Sequence, residues 1–196
     1  MPADVTGRIV GILLAAGAST RFGADKLLTP LPDGTPVALA SARTLLAGTD
    51  RALVVLRSER SELGELLRAQ GMQLVVCQDA AAGMGASLAC GVKAAAEAAG
   101  WLIALADMPF LCSATISAVV QAVRAGALIA VPVWNGQRGH PVGFGRPCYP
   151  ALATLQDDTG ARELLATHPN WITWVPCDDP GVVRDIDLPS DLLSIR

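Results

Sequence analysis

Residues 9–26 read Ile9-Val10-Gly11-Ile12-Leu13-Leu14-Ala15-Ala16-Gly17-Ala18-Ser19-Thr20-Arg21-Phe22-Gly23-Ala24-Asp25-Lys26. The first six are almost wholly apolar, the composition of a short strand buried on both faces of a parallel sheet. Behind them runs a loop of small residues carrying one Arg and one Lys. Small residues let backbone N–H groups approach a polyphosphate, and the two cations supply charge against it. The stretch therefore predicts an α/β fold with a phosphate-gripping loop after its first strand. It is neither of the common nucleotide loops, which need Gly-Lys-Ser/Thr together or Gly-x-Gly-x-x-Gly.

Outward from this stretch, apolar runs alternate with helical patterns. Strands are expected at 9–14, Ala52–Leu56, Gln73–Cys77, Trp101–Ala106, Leu128–Val133 and Ile172–Pro176. Helices are expected near 36–47, 61–70, 86–99, 113–125, 147–155 and 159–167. Continuous apolar strands separated by helices imply βαβ units. Right-handed crossovers then build a three-layer α/β/α sandwich around a mostly parallel, Rossmann-like sheet. The chain has 196 residues, the size of one domain, and the expectation is a single domain over 1–196.

Apolar residues make up 52% of the chain and the mean hydropathy is +0.42, so core material is ample. No run approaches the ~20 apolar residues of a membrane helix, and Met1–Arg8 carries no apolar signal core. Five dispersed cysteines with no Cys-x-x-Cys read as small core residues in a reducing cytosol. A cytoplasmic protein with no membrane partner is expected. The net charge of −3 argues against a nucleic-acid binder. A nucleotide site must then be locally basic, as residues 17–26 are.

Ligands of open α/β sheets bind beyond the carboxyl ends of the strands. Asp107 ends the fourth expected strand and faces that edge. Mg²⁺ takes one or two carboxylates plus substrate phosphates, so Asp107 is a candidate ligand; a turn or helix-capping role is the alternative. Gly83-Met84-Gly85-Ala86-Ser87 opens a helix, where Ser87 or the glycine amides could contact a ribose or base, although two glycines and a serine at a helix start are common and on their own read more readily as a plain loop. His140 sits among Gly139, Pro141 and Arg138, a loop setting rather than an apolar core face, and it could contact an acceptor phosphate or ring. Asp187 could cap a helix starting at Pro189. His168 reads as a solvated cation at a helix C-terminus.

The pattern Leu14-Ala15-Ala16-Gly17-x-Ser19-x-Arg21-x-Gly23-x-x-Lys26 resembles the signature of the MobA-like nucleotidyltransferases, which join a nucleoside triphosphate to a phosphorylated acceptor. The resemblance runs from about residue 9 to 193. It implies a nucleotide-diphospho-sugar transferase type of fold. Leu14, Ala15, Ala16, Gly17, Ser19, Arg21 and Lys26 would hold the triphosphate, with Arg21, Lys26 and Asp107 as the catalytic set. Gly83, Gly85 and Ser87 would line base and ribose. Leu105-Ala106-Asp107-Met108-Pro109 resembles the family's metal-binding strand end. In the family, the segment matching Asp185-Ile186-Asp187 brings a second carboxylate to Mg²⁺, which points to Asp185 first and Asp187 second; Leu188 and Ser190 stand where Thr and Glu are usual.

Arg138-Gly139-His140-Pro141-Val142 and Asp158-Thr159-Gly160-Ala161-Arg162 resemble the molybdopterin cytidylyltransferase branch. This implies a molybdopterin-type phosphorylated acceptor bound by Arg138 and His140, and a molybdoenzyme or its maturation chaperone as protein partner. In relatives Leu-Ala-Gly-Gly goes with guanine and Leu-Ala-Ala-Gly with cytosine. Ala16 therefore points to CTP, with its methyl narrowing the base pocket. Transfer to a sugar, isoprenoid or cobamide phosphate, use of GTP, or a non-catalytic molybdopterin-holding role are the competing expectations. An intact Arg21, Lys26, Asp107 and Asp185 set argues against the last.

Overall fold

The computed structural model describes residues 6–17, 25–59, 61–156 and 160–192. Its centre is β1 (Thr6–Leu14), flanked in parallel by β2 (Arg51–Leu56) and β4 (Ala98–Leu105), with β3 (Gln73–Val76) outside β2. Side chains of β1 alternate between two cores. Ile9, Leu13 and Ala15 join one cluster, and Val10, Ile12, Leu14 and Ala16 join the other. The first cluster is covered by α1 (Val37–Gly48), α2 (Glu62–Ala69) and α4 (Ser113–Arg124). The second lies under α3 (Met84–Ala94), α5 (Tyr149–Leu152) and α6 (Arg162–Thr167). The apolar run at 9–14 is thus continuous because both faces of its strand are buried, giving the three layers expected.

Gly11 sets the spacing of one layer. A Cβ there would lie 2.8 Å from Leu45 Cγ and 2.9 Å from Thr49 Oγ1, so its absence lets α1 lie directly on β1.

The other half of the sheet departs from the expected plan. Beyond β4 come β7 (Val142–Gly145), β5 (Ile129–Trp134) and β6 (Gln137–Arg138), all joined antiparallel, while β8 (Ile172–Pro176) pairs parallel with β5. β6 and β7 fall in a segment expected to be loop. Asn135 and Gly136 take φ of 48° and 77°, a two-residue turn that folds β6 back on β5. β7 is only four residues with two glycines, too weak in apolar pattern to register as a strand.

The Ala-rich stretch expected to continue a helix to 99 instead leaves α3 at Ala94 and enters β4 at Ala98. Helix propensity is overruled here by pairing with β1 and by capping. Trp101 Nε1 donates to the Ala95 carbonyl at 3.0 Å, and Arg146 donates to the carbonyls of Ala96 and Ala98. The helices expected at 147–155 and 159–167 shorten to the single turn of α5 and to α6. Among the described residues no helix is long and apolar enough to cross a membrane.

Candidate active site

The carboxyl ends of β1, β2, β3 and β4 open on one edge, and Asp107 stands just past β4. Its Oδ2 accepts a 2.9 Å bond from Lys26 Nζ, while its Oδ1 is buried without a hydrogen-bond partner. The main chain of Asp107 also sets the C-terminal segment, because its carbonyl accepts from Ile186 N–H at 2.9 Å. Ile186 is fully buried in the core under α1 and α4. With Ile186 as the plug, its neighbours Asp185 and Asp187 turn back toward Asp107. The three residues each place a carboxylate oxygen within 4.8 Å of the others. Lys26 Nζ reaches Asp187 Oδ1 as well, at 3.2 Å. Within the turn Pro189–Leu192, Asp191 Oδ2 accepts from the N–H groups of Asp187 and Leu188 and so ties this segment together.

The electrostatics follow from this crowding. Burial alone would lower the Lys26 ammonium, but the bonds and charges of Asp107 and Asp187 outweigh it and raise its pKa. Burial raises the Asp185 carboxyl, and the like charges of Asp187 and Asp107 raise it further, over the opposing pull of its own backbone N–H and Lys26. Three clustered carboxylates, one with an orphaned buried oxygen, form a donor set of hard oxygens suited to a divalent cation.

Two cavities flank this cluster. One, about 480 Å³, is bounded by Leu14, Ala16, Gly17, Gly83, Ser87 and Asp107 on the side of β2 and β3. The other, about 510 Å³, is bounded by Arg138, His140, Arg162 and Asp185 above an apolar floor that includes Ile103, Val142 and Phe144. Leu14, Met84 and Leu105 belong to both walls. Asp107 in one wall and Asp185 in the other place the carboxylate cluster between the two cavities. Gly83, with φ of 131°, makes the left-handed entry into α3 that turns the helix N-terminus toward the first cavity.

Not every expected residue faces these spaces. Ala15 is buried on the opposite side of β1, its N–H committed to the Val55 carbonyl at 3.0 Å, because strand alternation points it away from Leu14 and Ala16. Gly85 is buried within α3 and lines neither cavity. Ser19, Arg21, Asp158 and Thr159 lie outside the described residues. His140 lies in the loop between β6 and β7, as expected, but it is turned inward. Its N–H donates to the Val182 carbonyl at 2.8 Å, which draws the side chain inward. Burial lowers its pKa, against the raising influence of Asp107 and the Ile103 backbone, and its Nδ1 is buried without a partner. Its burial favours the neutral imidazole in this cavity wall. His168, at the end of α6, stacks on Trp171 with ring centroids 4.0 Å apart. Two further cations line the cavities: Arg162, in the wall with Arg138 and His140, and Arg57, which directly follows β2 and faces the other cavity. A cation immediately after an apolar strand, at the ligand-binding edge, was the available signal for Arg57.

The family described as the MobA-like NTP transferase domain matches residues 11–171. Among curated relatives, the purine catabolism protein PucB of Bacillus subtilis is 35% identical over 96% of each chain. The nicotine blue oxidoreductase of Paenarthrobacter nicotinovorans is 30% identical, over 91% of this chain and 92% of its own. The molybdenum cofactor cytidylyltransferase of Escherichia coli is 26% identical over 94% of each. A solved nucleotidyl transferase from a Methanothermobacter superposes with a TM-score of 0.82 at 25% identity, covering 97% of both chains. The Rv0371C complex with manganese from Mycobacterium tuberculosis gives 0.79 at 26% identity, covering 96% of this chain and all of that one. With its layered sheet and carboxylate cluster, and with the family's domain matched over residues 11–171, the chain belongs to the MobA-like NTP transferase family.

Proposed function

We propose that this protein transfers CMP from CTP to the phosphate of a molybdopterin-type acceptor and releases pyrophosphate, with Mg²⁺ bound by Asp107, Asp185 and Asp187. The observation that carries the reading is the pair of cavities meeting at one carboxylate cluster. A two-substrate transfer needs two adjoining pockets with the reacting atoms at their junction, where positioning and charge neutralisation supply the rate. A similar protein solved in complex with manganese supports divalent-metal use.

The acceptor is a phosphomonoester, already a nucleophile at neutral pH, so no side chain need deprotonate it. One of its oxygens attacks the α-phosphorus of CTP, and the bond to the β-phosphate oxygen breaks. Asp107, Asp185 and Asp187 would hold a divalent cation, which would supply positive charge against the phosphoryl groups. Asp107 Oδ1, buried and unbonded, is the oxygen best prepared to hold it. Lys26 carries its charge beside Asp107 and serves the triphosphate and departing pyrophosphate. Arg21 is assigned the same task, and Ala16 and Gly17 hold the triphosphate through backbone amides. Gly83 and Ser87 border the ribose and base.

Ala16 is nearly fully buried and lines the β2–β3-side cavity, which supports a pyrimidine base limited by its methyl. On the other side, Arg138 and Arg162 meet acceptor anions. The neutral His140 offers hydrogen bonds without charge above an apolar floor suited to a flat ring. The five unpaired thiols support a cytosolic setting, where a molybdoenzyme or its chaperone would collect the product. The test is thermal unfolding of the purified protein with CTP, GTP, UTP or ATP, each with and without Mg²⁺. A bound ligand raises stability by RT ln(1 + [L]/Kd). CTP with Mg²⁺ should give the largest shift; a larger shift with GTP refutes the base assignment.

A further inference from the structure

Arg57 directly follows β2, and its Nε donates to the backbone carbonyl of Ala16 across the mouth of the β2–β3-side cavity. That bond fixes the guanidinium plane. Among the described residues its two terminal nitrogens have no hydrogen-bond or ion-pair partner. An anchored, planar donor fork is therefore presented to a cavity whose other walls here are the small residues Ala80, Ala81, Ala82 and Gly83.

Sheet order says which part of a nucleotide lies there. β2 and β4 sit on opposite sides of β1, so Arg57 and Asp107 stand about 10 Å apart across the site, two interstrand spacings. On the reading above, the α-phosphorus lies at Asp107 and the triphosphate above the loop after β1, near Lys26. The base then extends toward β2 and β3. Two parallel N–H donors match two adjacent acceptors. Cytosine offers N3 and O2 side by side. Uracil sets an N3–H donor beside O2 and opposes the fork. Guanine offers N7 and O6, but on a purine, which the Ala16 methyl and the three alanines disfavour.

We propose that Arg57 is a specificity-determining residue that reads the N3/O2 edge of cytosine, held in register by the Ala16 carbonyl. This rests on the CTP reading and adds a further function to Ala16. Its methyl limits the size of the base, and its carbonyl aims the side chain that reads the edge.

The experiment measures kcat/KM for CTP, UTP and GTP with one acceptor, on wild type, Arg57→Lys and Arg57→Met. Calorimetric binding of CTP and UTP without acceptor runs in parallel. Arg57 is exposed after its strand, so both variants should fold. The CTP-to-UTP ratio should fall about 10- to 100-fold in both, the discrimination a bidentate side-chain–base contact supports. Lysine restores charge but not the fork, so it should not rescue the ratio. An equal loss for all three nucleotides, or rescue by lysine, overturns the proposal and makes Arg57 a phosphate or loop-support residue. If wild type prefers CTP and the ratio is unchanged in the variants, the Arg57 proposal alone fails. A wild type that prefers GTP brings down the cytidylyl reading and the proposal together.

Discussion

Replacing Lys26 by Met removes an ammonium bonded to two of three clustered carboxylates while keeping the aliphatic stem. The Lys26–Asp107 pair, at 2.9 Å, has side chains only 11% and 24% exposed, whereas Asp187 is 53% exposed. The second bond counts for little, as exposed pairs do. Breaking a fully buried pair by removing one partner costs about 3–5 kcal/mol. The Asp107 pair lies between these limits, so the loss should be about 2 kcal/mol, or about 4–8 °C in Tm for a chain of this size. The assay is urea unfolding at pH 7 and low salt, with and without Mg²⁺. Mg²⁺ should stabilise the variant more than wild type, because the cation no longer competes with an ammonium for the carboxylates. The pH dependence has a definite sign. The Lys26 pKa is raised above 10.5 in the fold, so its stabilisation is full below that value. It fades as pH climbs through the folded pKa, and the gap between wild type and variant should close in that alkaline range. A loss under about 0.5 kcal/mol, less than even a typical exposed pair at its upper end, or no preferential rescue by Mg²⁺, would refute this account of the cluster.

Asp107→Asn should abolish divalent-cation-dependent turnover, since the amide keeps the shape but loses the charge a hard cation needs. Asp185→Asn should be nearly as damaging and Asp187→Asn milder; titration calorimetry with Mg²⁺ and Mn²⁺ should rank affinities in the same order, and equal small effects at all three positions would remove the metal assignment. Ala16→Gly should lower the ratio of kcat/KM for CTP over GTP by about 10–200-fold, one methyl's worth of pocket shape, and an unchanged ratio would mean that Ala16 does not meet the base. Gly11→Ala should cost about 1–3 kcal/mol, because its Cβ would drive Leu45 and Thr49 off β1. Turnover per folded molecule should be unaffected, and denaturant titration beside kcat separates the two effects.

The parallel half of the fold was readable because β1, β2 and β4 are buried on both faces and so appear as unbroken apolar runs. The antiparallel half was not. β7 carries two glycines in four residues, and its identity as a strand comes from pairing with β4 and β5, which is long-range information. Asn135-Gly136 did carry a local hairpin signal, and its positive φ values show the turn it makes. Asp107 could be placed from the strand it ends. Asp185 and Asp187 could be joined to it only by resemblance, since a separation of almost eighty residues is closed by one Ile186-to-Asp107 backbone bond. His140 could be placed in a loop because Gly and Pro surround it, but its inward turn could not be read. Those neighbours are the ones that allow the chain to press against Val182, where a Cβ on Gly139 would collide with the Val182 carbonyl. Arg57 escaped notice because an Arg after a strand has many roles, and only the bond to Ala16 aims it at the cavity.

The central claim is that the two cavities bring a nucleoside triphosphate and a phosphorylated acceptor together at Asp107. Its most direct test is CTP labelled at the α-phosphate, incubated with enzyme, Mg²⁺ and molybdopterin, with pyrophosphate and label followed together. The account predicts one pyrophosphate released per labelled CMP joined to the acceptor, no label transfer without the acceptor, and loss of both signals in Asp107→Asn. Absence of acceptor-dependent pyrophosphate release with CTP and with GTP, under Mg²⁺ and under Mn²⁺, would contradict it.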